Sequence, residues 1–433
     1  MKIINHSGAD AGGGYCAEVA SRNERILIDF GWPPGTPDMA ALQAFKGKPT
    51  RELIRAGMLP DTKGLYRDTP LGFSAALLSD SRAEQCGFLS YVNPALQVYS
   101  HALTAKLAFA AALFGETEPV EAHISTRDPG RPFPLGKFIV KPFEAADPAS
   151  GAYSYLVIDK NTDKRLFYSG DISAHLSSPA MFKSLLSYKW RVDCLLLDGG
   201  VPAAGADTCH SEAAVRAGME KACGGRKGYV FLACASQNLP RLLSAYAAAR
   251  VCGRTLVIDP YTAFVLHLQE ELPGNRLRFD LEGIKILFAR STYTRKVTKF
   301  TGLEDKMRRC RVTKEEIAAE PDKYILKDSW HMRQTFAEPA KNDSEKPVLI
   351  YSLGEAHLAR NRKFWDNHGI EIIQLHSGGH ACKEELRQLV AAMKPRVIVP
   401  AHAAQQELFK QFFPGLNVRS LGKGEELNLA AGS

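Results

Sequence analysis

The feature that most constrains the fold of this chain is a series of short apolar runs, rich in β-branched residues and each followed by turn residues. Runs of this length and composition predict buried strands. The clearest of them are 25–30, 75–79, 155–158, 193–198, 229–232, 255–258, 284–288, 348–351 and 396–399. Between many of them apolar residues recur at helical spacing, as in 240–250 and 383–393. Strands that alternate with helices predict a layered α/β fold.

Length and composition exclude several classes of protein. The chain has 433 residues, of which 45% are apolar and 24% are charged, which is the composition of an ordinary globular protein and not of a disordered one. This length allows two or three domains. No stretch approaches the roughly 18 uninterrupted apolar residues of a membrane span, and the first residues lack the apolar run of a signal peptide. We expect a cytoplasmic protein with no membrane partner.

The nine cysteines are irregularly spaced and include no C-x-x-C pair. This spacing argues against a disulfide framework and against a zinc ribbon, so we expect reduced thiols. Cys86 lies beside the candidate metal motif at 80–87, and Cys382 lies two residues after His380, both discussed below. A thiol nucleophile at one of these positions is therefore an alternative chemistry. A free cysteine beside a core strand is, however, more often simply packed there.

Five polar residues lie at turns beside apolar runs. Their positions make them candidate functional residues before any family is considered. They are Asp29, Asp171, Asp198, His380 and His402, and all but His380 directly end or follow a predicted strand. Open α/β folds build their sites at the carboxyl ends of strands. One such residue would be an ordinary turn or capping group. Five together indicate a functional site.

The segments around these residues resemble the motifs of one known family. The matching stretches are 6–19 with 28–31, 167–171, 198–200, 235–241 with 247–254, 377–381 and 400–402. Their residues and order are similar to those of the metallo-β-lactamase fold. They are most similar to its β-CASP branch, which includes ribonuclease J and the mRNA 3′-end-processing endonucleases. The resemblance covers essentially the whole chain.

The resemblance implies both an architecture and a chemistry. Residues 1–200 and 346–433 would build an αββα sandwich, and residues 201–345 would form the inserted β-CASP α/β domain. Members of the family cleave RNA or DNA phosphodiester bonds with two zinc ions. Asp171, Asp198, His380 and His402 occupy positions at which the family has metal-binding or catalytic groups, and they would be the catalytic residues of an active protein.

The chain departs from the family at the motif that should hold the metal ions. The family has H-x-H-x-D-H directly after a strand, shortly before a glycine. We align this chain with the family motif at the glycine, which is Gly87 here. In this alignment the first histidine is replaced by Asp80, the second by Arg82, the aspartate by Glu84 and the third histidine by Gln85. A shift of register would not restore the motif, because no histidine occurs between residues 6 and 101.

A second expected ligand is also absent. The family has Asp-His-Ser before the strand that corresponds to 155–158, whereas this chain has Asp147 followed by proline and alanine, with no histidine between residues 123 and 175. Of the ligands that the family uses, Asp171 and His402 remain. The zinc site is therefore largely lost.

Two interpretations of the altered motif stay open. In the first, Asp80, Glu84, Asp171 and His402, with Asp147 as a further oxygen donor, bind Zn²⁺, Mn²⁺ or Mg²⁺ at a reduced site. In the second there is no metal cofactor, because the guanidinium of Arg82 cannot lose its proton and would form an internal salt-bridge network with Asp80, Glu84 or Asp171. The sequence favours the second interpretation, a non-catalytic protein; the alternative is an active metal-dependent hydrolase of the nuclease type.

Basic residues are concentrated in one segment. Residues 288–314 contain nine lysines and arginines against two acidic residues, a net charge of +7, while the whole chain carries +8. Tyr293 and Phe300 are interleaved, as in grooves that follow single-stranded nucleic acid. The residues that we expect to contact RNA or single-stranded nucleic acid are Arg295, Lys296, Lys299, Arg308, Arg309 and Arg311. One alternative for the basic segment is an ordinary solvated helix face. For the protein as a whole, the alternatives are binding to a protein partner or to a second copy of the chain, and binding of a small ligand between the two lobes.

Overall fold

The computed structural model of the protein describes residues 1–7, 14–32, 48–147, 150–176, 179–200, 211–272, 274–288, 302–401 and 406–429. In these ranges the strands are β1 Lys2–Ser7, β2 Cys16–Ser21, β3 Glu24–Ile28, β4 Ala75–Leu77, β5 Val98–Ser100, β6 Ile124–Thr126, β7 Phe133–Leu135, β8 Phe138–Glu144, β9 Tyr153–Asp159, β10 Arg165–Tyr168, β11 Cys194–Asp198, β12 Val230–Ala233, β13 Thr255–Ile258, β14 Ile284–Leu287, β15 Arg311–Val312, β16 Tyr324–Lys327, β17 Val348–Tyr351, β18 Glu371–Gln374, β19 Val397–Ala401 and β20 Glu426–Asn428.

The helices lie mainly between the strands. They are α1 Thr50–Arg55, α2 Ala83–Cys86, α3 Ala102–Phe114, α4 Pro179–Ser187, α5 Glu212–Cys223, α6 Leu239–Val251, α7 Pro260–Leu268, α8 Leu303–Arg309, α9 Lys314–Ala319, α10 Trp330–Lys341, α11 Glu355–Asn367, α12 Lys383–Met393 and α13 Gln406–Phe412. All nine apolar runs singled out in the sequence contain a strand, and both helical patterns form helices. No helix in the described ranges combines the length and apolarity needed to cross a membrane.

The chain divides into two compact units. The first comprises Met1–Cys209 and Gly379–Ser433, and the second comprises His210–Gly378. The second boundary therefore lies beyond the position near 346 that the sequence suggested. The reason is strand pairing: β17 joins β12 in parallel register, and β18 continues the same sheet, so both belong to the inserted unit.

The first unit contains two mixed sheets, with the strand orders β20-β1-β2-β3-β4-β5-β6 and β19-β11-β10-β9-β8-β7. One apolar core contains residues of both sheets, including Val19 and Ile26 of the first and Val140 and Leu196 of the second. Strand β11 shows why the sheets are layered. Cys194 and Leu196 belong to this shared core, whereas Leu195 and Leu197 belong to another core on the opposite face, as the two-residue period of a strand requires.

Helices cover the outer faces of both sheets. The outer face of the second sheet packs against α4, α12 and α13, and the four apolar residues of the predicted α12 stripe, from Leu386 to Met393, are all buried there. The outer face of the first sheet packs in a separate core that includes Leu53 of α1 and Cys86 of α2. These four layers form an αββα sandwich, so the predicted fold class is confirmed. The second unit is a seven-stranded parallel sheet of order β15-β14-β13-β16-β12-β17-β18.

The cysteines differ in part from the expectation of reduced thiols. The free thiols among the described residues are Cys16, Cys86, Cys194, Cys223, Cys234, Cys252 and Cys310. Cys382, in contrast, is disulfide-bonded. The expectation was therefore wrong at this position, because the spacing of cysteines along a chain does not determine which of them approach one another in the fold.

Candidate functional site

The candidate site lies in the first unit, at the carboxyl ends of strands in both sheets. Asp80 follows β4, Asp171 follows β10, and Asp198 is the last residue of β11. All three carboxylates are buried. The ligand atoms of Asp171, Asp198 and His380 lie within 4.8 Å of one another, and the carboxylate oxygens of Asp80, Asp147 and Asp171 form a second group with the same spacing.

A guanidinium group lies among three of these carboxylates. Arg82 Nη2 donates to Asp171 Oδ2 at 2.8 Å, to Asp147 Oδ2 at 3.0 Å and to Asp80 Oδ2 at 2.5 Å. Arg82 Nε adds a further bond to Asp80 Oδ2 at 3.0 Å. The salt-bridge network that the sequence suggested for Arg82 is present, with Asp80 and Asp171 as expected partners. We refer to these four residues as the Arg82 cluster.

Local backbone geometry determines where Arg82 lies. Its own N–H donates to Asp80 Oδ1 at 2.7 Å, and it is the residue that precedes helix α2. Backbone hydrogen bonds from Tyr15, Phe30 and Trp32 to carbonyls of α2 fix this single turn against the neighbouring chain. The approach is so close that a Cβ at Gly31 would come within 1.5 Å of the Glu84 carbonyl oxygen. Only glycine fits there.

The same helix separates Glu84 from the other candidate ligands. Glu84 was expected among them, but it is not part of the Arg82 cluster, where Asp147 supplies the third carboxylate instead. A tight turn would direct alternate residues to one point, but residues 83–86 form a helix. In a helix, residues two apart point in different directions while residues three apart share a face. Gln85 therefore accompanies Arg82, and its Nε2 donates to Asp171 Oδ2 at 3.1 Å.

Burial and charge determine the protonation of the Arg82 cluster. Burial opposes the charge of Arg82, but the carboxylates of Asp147, Asp80 and Asp171 outweigh it and raise the pKa of the guanidinium well above its ordinary value. Burial also raises the pKa of Asp80, although Arg82 acts in the opposite direction. A permanent cation is thus held among carboxylates that are nearly inaccessible to water.

A second ion pair lies beside the Arg82 cluster. His380 Nδ1 is 2.9 Å from Asp198 Oδ1 and 3.8 Å from Asp171 Oδ1. The fully buried Asp198 also accepts bonds from the N–H groups of Ile172 and Gly200, each at 3.0 Å. Burial opposes the charge of His380, but Asp198 and Asp171 together raise its pKa to about 10. Burial likewise opposes the ionisation of Asp198, yet His380 and the backbone donors lower its pKa to about 2.

These residues do not fit the two zinc ions that the family resemblance implies. The three clustered carboxylates are all bonded to Arg82, which stands where a divalent cation would have to lie. None of the three is an imidazole or thiolate, the ligands that zinc commonly takes. The Nδ1 atom of His380 is engaged with Asp198. Among the described residues, the positive charges of Arg82 and His380 face the four carboxylates of Asp80, Asp147, Asp171 and Asp198, and the guanidinium takes the place between three of them that a cation would need.

The alternative of a thiol nucleophile depends on the state of two cysteines. Cys86 is 5% exposed, and its Sγ donates to the Ser81 carbonyl at 3.2 Å. Burial and the nearby carboxylates of Asp80 and Asp29 raise its pKa well above the ordinary value. Cys382 is disulfide-bonded. Neither residue is therefore an activated thiolate.

Asp29 belongs to the core and not to the site. Ser79 donates to it from its N–H and its hydroxyl, both at 2.7 Å, and the Tyr168 hydroxyl donates at 2.6 Å. Burial raises the pKa of Asp29 to about 8 despite these bonds. Since Ser79 follows a strand of the first sheet and Tyr168 ends a strand of the second, Asp29 connects the two sheets.

The second unit contains a buried charge, Arg241, that the sequence did not indicate. The apolar pattern of 240–250 forms helix α6, but within it the apolar Leu243 is 44% exposed whereas the charged Arg241 is fully buried. Arg241 Nη2 lies 2.8 Å from Glu212 Oε1. Its guanidinium also donates to the hydroxyls of Ser352 and Ser377. No local signal reveals this site, because its partners are distant in the sequence.

The structure describes only part of the expected nucleic-acid and metal sites. His402, Arg295, Lys296 and Lys299 lie outside the described residues. Arg308 and Arg309 lie on α8 and Arg311 on β15, and all three are exposed. Arg308 pairs with Glu304 in the preceding turn, its Nη2 2.6 Å from Oε1. These three arginines are therefore accessible to a partner from solvent.

Comparison with known proteins shows a shared fold. No protein-family model matches the chain, and no curated protein matches it. A crystal structure of a protein of unknown function from Enterococcus faecalis V583 superposes with a TM-score of 0.73 at 17% sequence identity, covering 98% of this chain and 99% of that one. The metallo-β-lactamase fold protein YhfI from Bacillus subtilis gives a TM-score of 0.29 at 14% identity, covering 46% of this chain and 72% of that one. At these identities the likeness to the Enterococcus protein extends to the fold alone.

Proposed function

We propose that this protein is a metal-independent nucleic-acid-binding protein, a divergent relative of the β-CASP nucleases whose hydrolytic site has been replaced by the Arg82 cluster. The observation that carries the proposal is the bonding of one guanidinium to three buried carboxylates at the position of the family's metal motif. The assignment to the β-CASP branch rests on the sequence motifs described above.

The chemistry of the site supports a non-catalytic role. Phosphodiester hydrolysis by this family depends on metal ions, which lower the pKa of bound water and supply hydroxide near neutral pH. Arg82 cannot perform that step, because a guanidinium neither coordinates water nor loses its proton. His380 is held protonated by Asp198, and an imidazolium cannot act as a general base. The described groups therefore lack a means of generating a nucleophile.

The alternative is an active hydrolase with a reduced metal site of Asp80, Glu84, Asp171 and His402. Two observations argue against it. Asp80 and Asp171 are both bonded to Arg82, and Glu84 lies outside their cluster. A metal ion would have to displace a cation that is hydrogen-bonded to three carboxylates. That exchange would leave the guanidinium without its partners in a largely buried position.

Metal analysis separates the two functions. We expect purified wild-type protein to contain no stoichiometric zinc or manganese, and its thermal unfolding midpoint to be unchanged when either metal is added. Elemental analysis by mass spectrometry and a thermal shift assay measure these quantities. Stoichiometric metal that is lost on the substitution Asp171→Asn would support the hydrolase and contradict the proposal.

Nucleic-acid binding predicts a dependence on the exposed arginines of the basic segment. The double substitution Arg309→Ala/Arg311→Ala is expected to weaken binding of a single-stranded oligonucleotide. It should also reduce the slope of log affinity against log salt by about 0.7 for each phosphate that is no longer neutralised. Fluorescence anisotropy at several salt concentrations measures both effects. Arg216→Ala, which removes an exposed arginine on α5, is the matched control. Equal affinities of the wild-type protein and the double variant would show that Arg309 and Arg311 do not contribute to nucleic-acid binding.

A further inference from the structure

A third group of potential metal ligands lies in the first unit. The ligand atoms of His175, Cys382 and Glu385 all lie within 4.8 Å of one another. The side chains of His175 and Glu385 are each 10% exposed, and Cys382 is 6% exposed. An imidazole, a sulfur and a carboxylate are thus held together in a largely buried place. We refer to these three residues as the His175 cluster.

The fold fixes the carboxylate of this cluster between the other two residues. Cys382 directly precedes α12, and Glu385 lies in the first turn of that helix, three residues further on, so that both share one face. Glu385 Oε2 accepts a bond from the Cys382 N–H at 3.2 Å. The N–H of His175, in the segment that follows β10, donates to Glu385 Oε1 at 2.7 Å. Backbone groups therefore orient the carboxylate.

The distances in the His175 cluster are close to those around a single zinc ion. His175 Nδ1 lies 3.0 Å from Glu385 Oε2. Two such atoms bound tetrahedrally to zinc would be about 3.3 Å apart. A thiolate on the same ion would lie about 3.6 Å from either of them, which requires the sulfur to approach by about 1.2 Å at most from the 4.8 Å limit. An ion would thus replace the hydrogen bond between imidazole and carboxylate with little rearrangement.

The ligand types select the metal. The His175 cluster offers nitrogen, sulfur and oxygen, the three donor atoms that zinc takes in proteins. The Arg82 cluster, in contrast, offers only carboxylate oxygens, and a guanidinium lies among them. Cys382 is disulfide-bonded in this structure, and the sulfur ligand of a metal is a thiolate. Zinc therefore requires the reduced form of Cys382.

We propose that the His175 cluster is a zinc site of the reduced protein, in which His175 Nδ1, the Cys382 thiolate and the Glu385 carboxylate bind one Zn²⁺ and a water molecule completes the tetrahedron. The disulfide at Cys382 and the zinc ion exclude each other. A phosphine reductant opens the disulfide: the two sulfurs take up two electrons from phosphorus and two protons from water, and the phosphine becomes its oxide. Zinc then displaces the proton of the Cys382 thiol, which passes to the buffer.

Zinc titration of the full-length chain before and after reduction tests the site. The protein is reduced with a water-soluble phosphine under nitrogen, and zinc chloride is added in a calorimeter. We expect one equivalent of zinc to bind to the reduced protein and none to the disulfide-bonded protein. Co²⁺ in place of zinc gives a second measurement, because a cobalt–thiolate bond has a charge-transfer absorption in the near ultraviolet.

Variants in the reduced state identify the ligands. Cys382→Ser should abolish stoichiometric zinc and the cobalt–thiolate absorption. Glu385→Gln keeps an acceptor for the two backbone N–H groups but should weaken zinc affinity at least tenfold, since loss of even an outer-shell partner commonly costs that much. Cys310→Ser, which removes a partly exposed free thiol elsewhere, is the matched control and should bind zinc like the wild type.

Two results would overturn the zinc site. One is reduced wild-type protein that takes up no zinc, and the other is Cys382→Ser that binds zinc as tightly as the wild type. The variant Asp171→Asn separates this site from the Arg82 cluster. Zinc held by the His175 cluster should persist in Asp171→Asn, whereas zinc held by a hydrolytic site should be lost.

Discussion

Replacing Arg82 with alanine is expected to lower the free energy of unfolding by about 3–5 kcal/mol at neutral pH, the usual cost of removing one partner from a buried ion pair. The substitution leaves three carboxylates within 4.8 Å of one another, with side chains at most 4% exposed. Like charges at this distance disfavour ionisation and raise pKa values. The stability deficit of Arg82→Ala should therefore shrink as the pH falls and the carboxylates take up protons. Urea unfolding at neutral and at mildly acidic pH measures the effect.

Arg82→Lys is the matched control for this substitution. It keeps the positive charge but loses the planar fork that reaches three carboxylates at once, so we expect an intermediate loss of stability. Added Mn²⁺ should raise the unfolding midpoint of Arg82→Ala, because the vacated carboxylate oxygens suit that ion, and should not raise that of the wild type. If Arg82→Ala were as stable as the wild-type protein, the Arg82 cluster would make no contribution to the free energy of unfolding.

The His380–Asp198 pair predicts a second large effect, which depends on pH. Because the pKa of His380 is raised to about 10 in the folded protein, its contribution to stability is complete below its ordinary value near 6.5 and is lost as the pH rises towards 10. The pKa of Asp198 is lowered to about 2, so its contribution is present above its ordinary value of 3.8 and is lost as the pH falls towards 2. The pair is therefore most stabilising near pH 4–6.5.

The substitution His380→Asn tests this dependence. At pH 6 it should cost about 2–3 kcal/mol, less than a wholly buried pair would, because 32% of the His380 side chain is exposed. The difference in unfolding free energy from wild type should decrease steadily between pH 6.5 and pH 10. His368→Asn is the control, because it removes a histidine whose carboxylate partner, Glu338, is exposed. A difference that did not change with pH over this range would show that His380 is not protonated in the folded protein.

Both predictions follow from buried ion pairs at the ends of strands. Asp171 follows β10, Asp198 ends β11, and His380 reaches Asp198. Arg82 pairs with Asp171, Asp80 and Asp147, and His380 pairs with Asp198. These two positive charges reduce the repulsion between the carboxylates that lie together at the strand ends.

Much of the architecture could be predicted from the sequence. Short apolar runs and the 3.6-residue period of α12 are local signals, and each corresponds to an element in the structure. The absence of histidines between residues 6 and 101 is equally local. The prediction that Arg82 would neutralise carboxylates came from the alignment of residues 80–87 with the family motif and from the permanent charge of a guanidinium. Patterns of this kind succeed because a strand or helix is determined mainly by which residues it must bury.

What the sequence by itself determined is therefore the layered α/β fold and the absence of histidines between residues 6 and 101. The tertiary structure alone decided which groups meet: Asp147 and Gln85 at Arg82, and Glu212 at Arg241. It also assigned β17 and β18 to the inserted unit. The physical reason is the same throughout. The pattern of buried residues in a strand or helix is visible in the local sequence. Hydrogen bonds and ion pairs, in contrast, form between residues that only the packing of distant segments brings together.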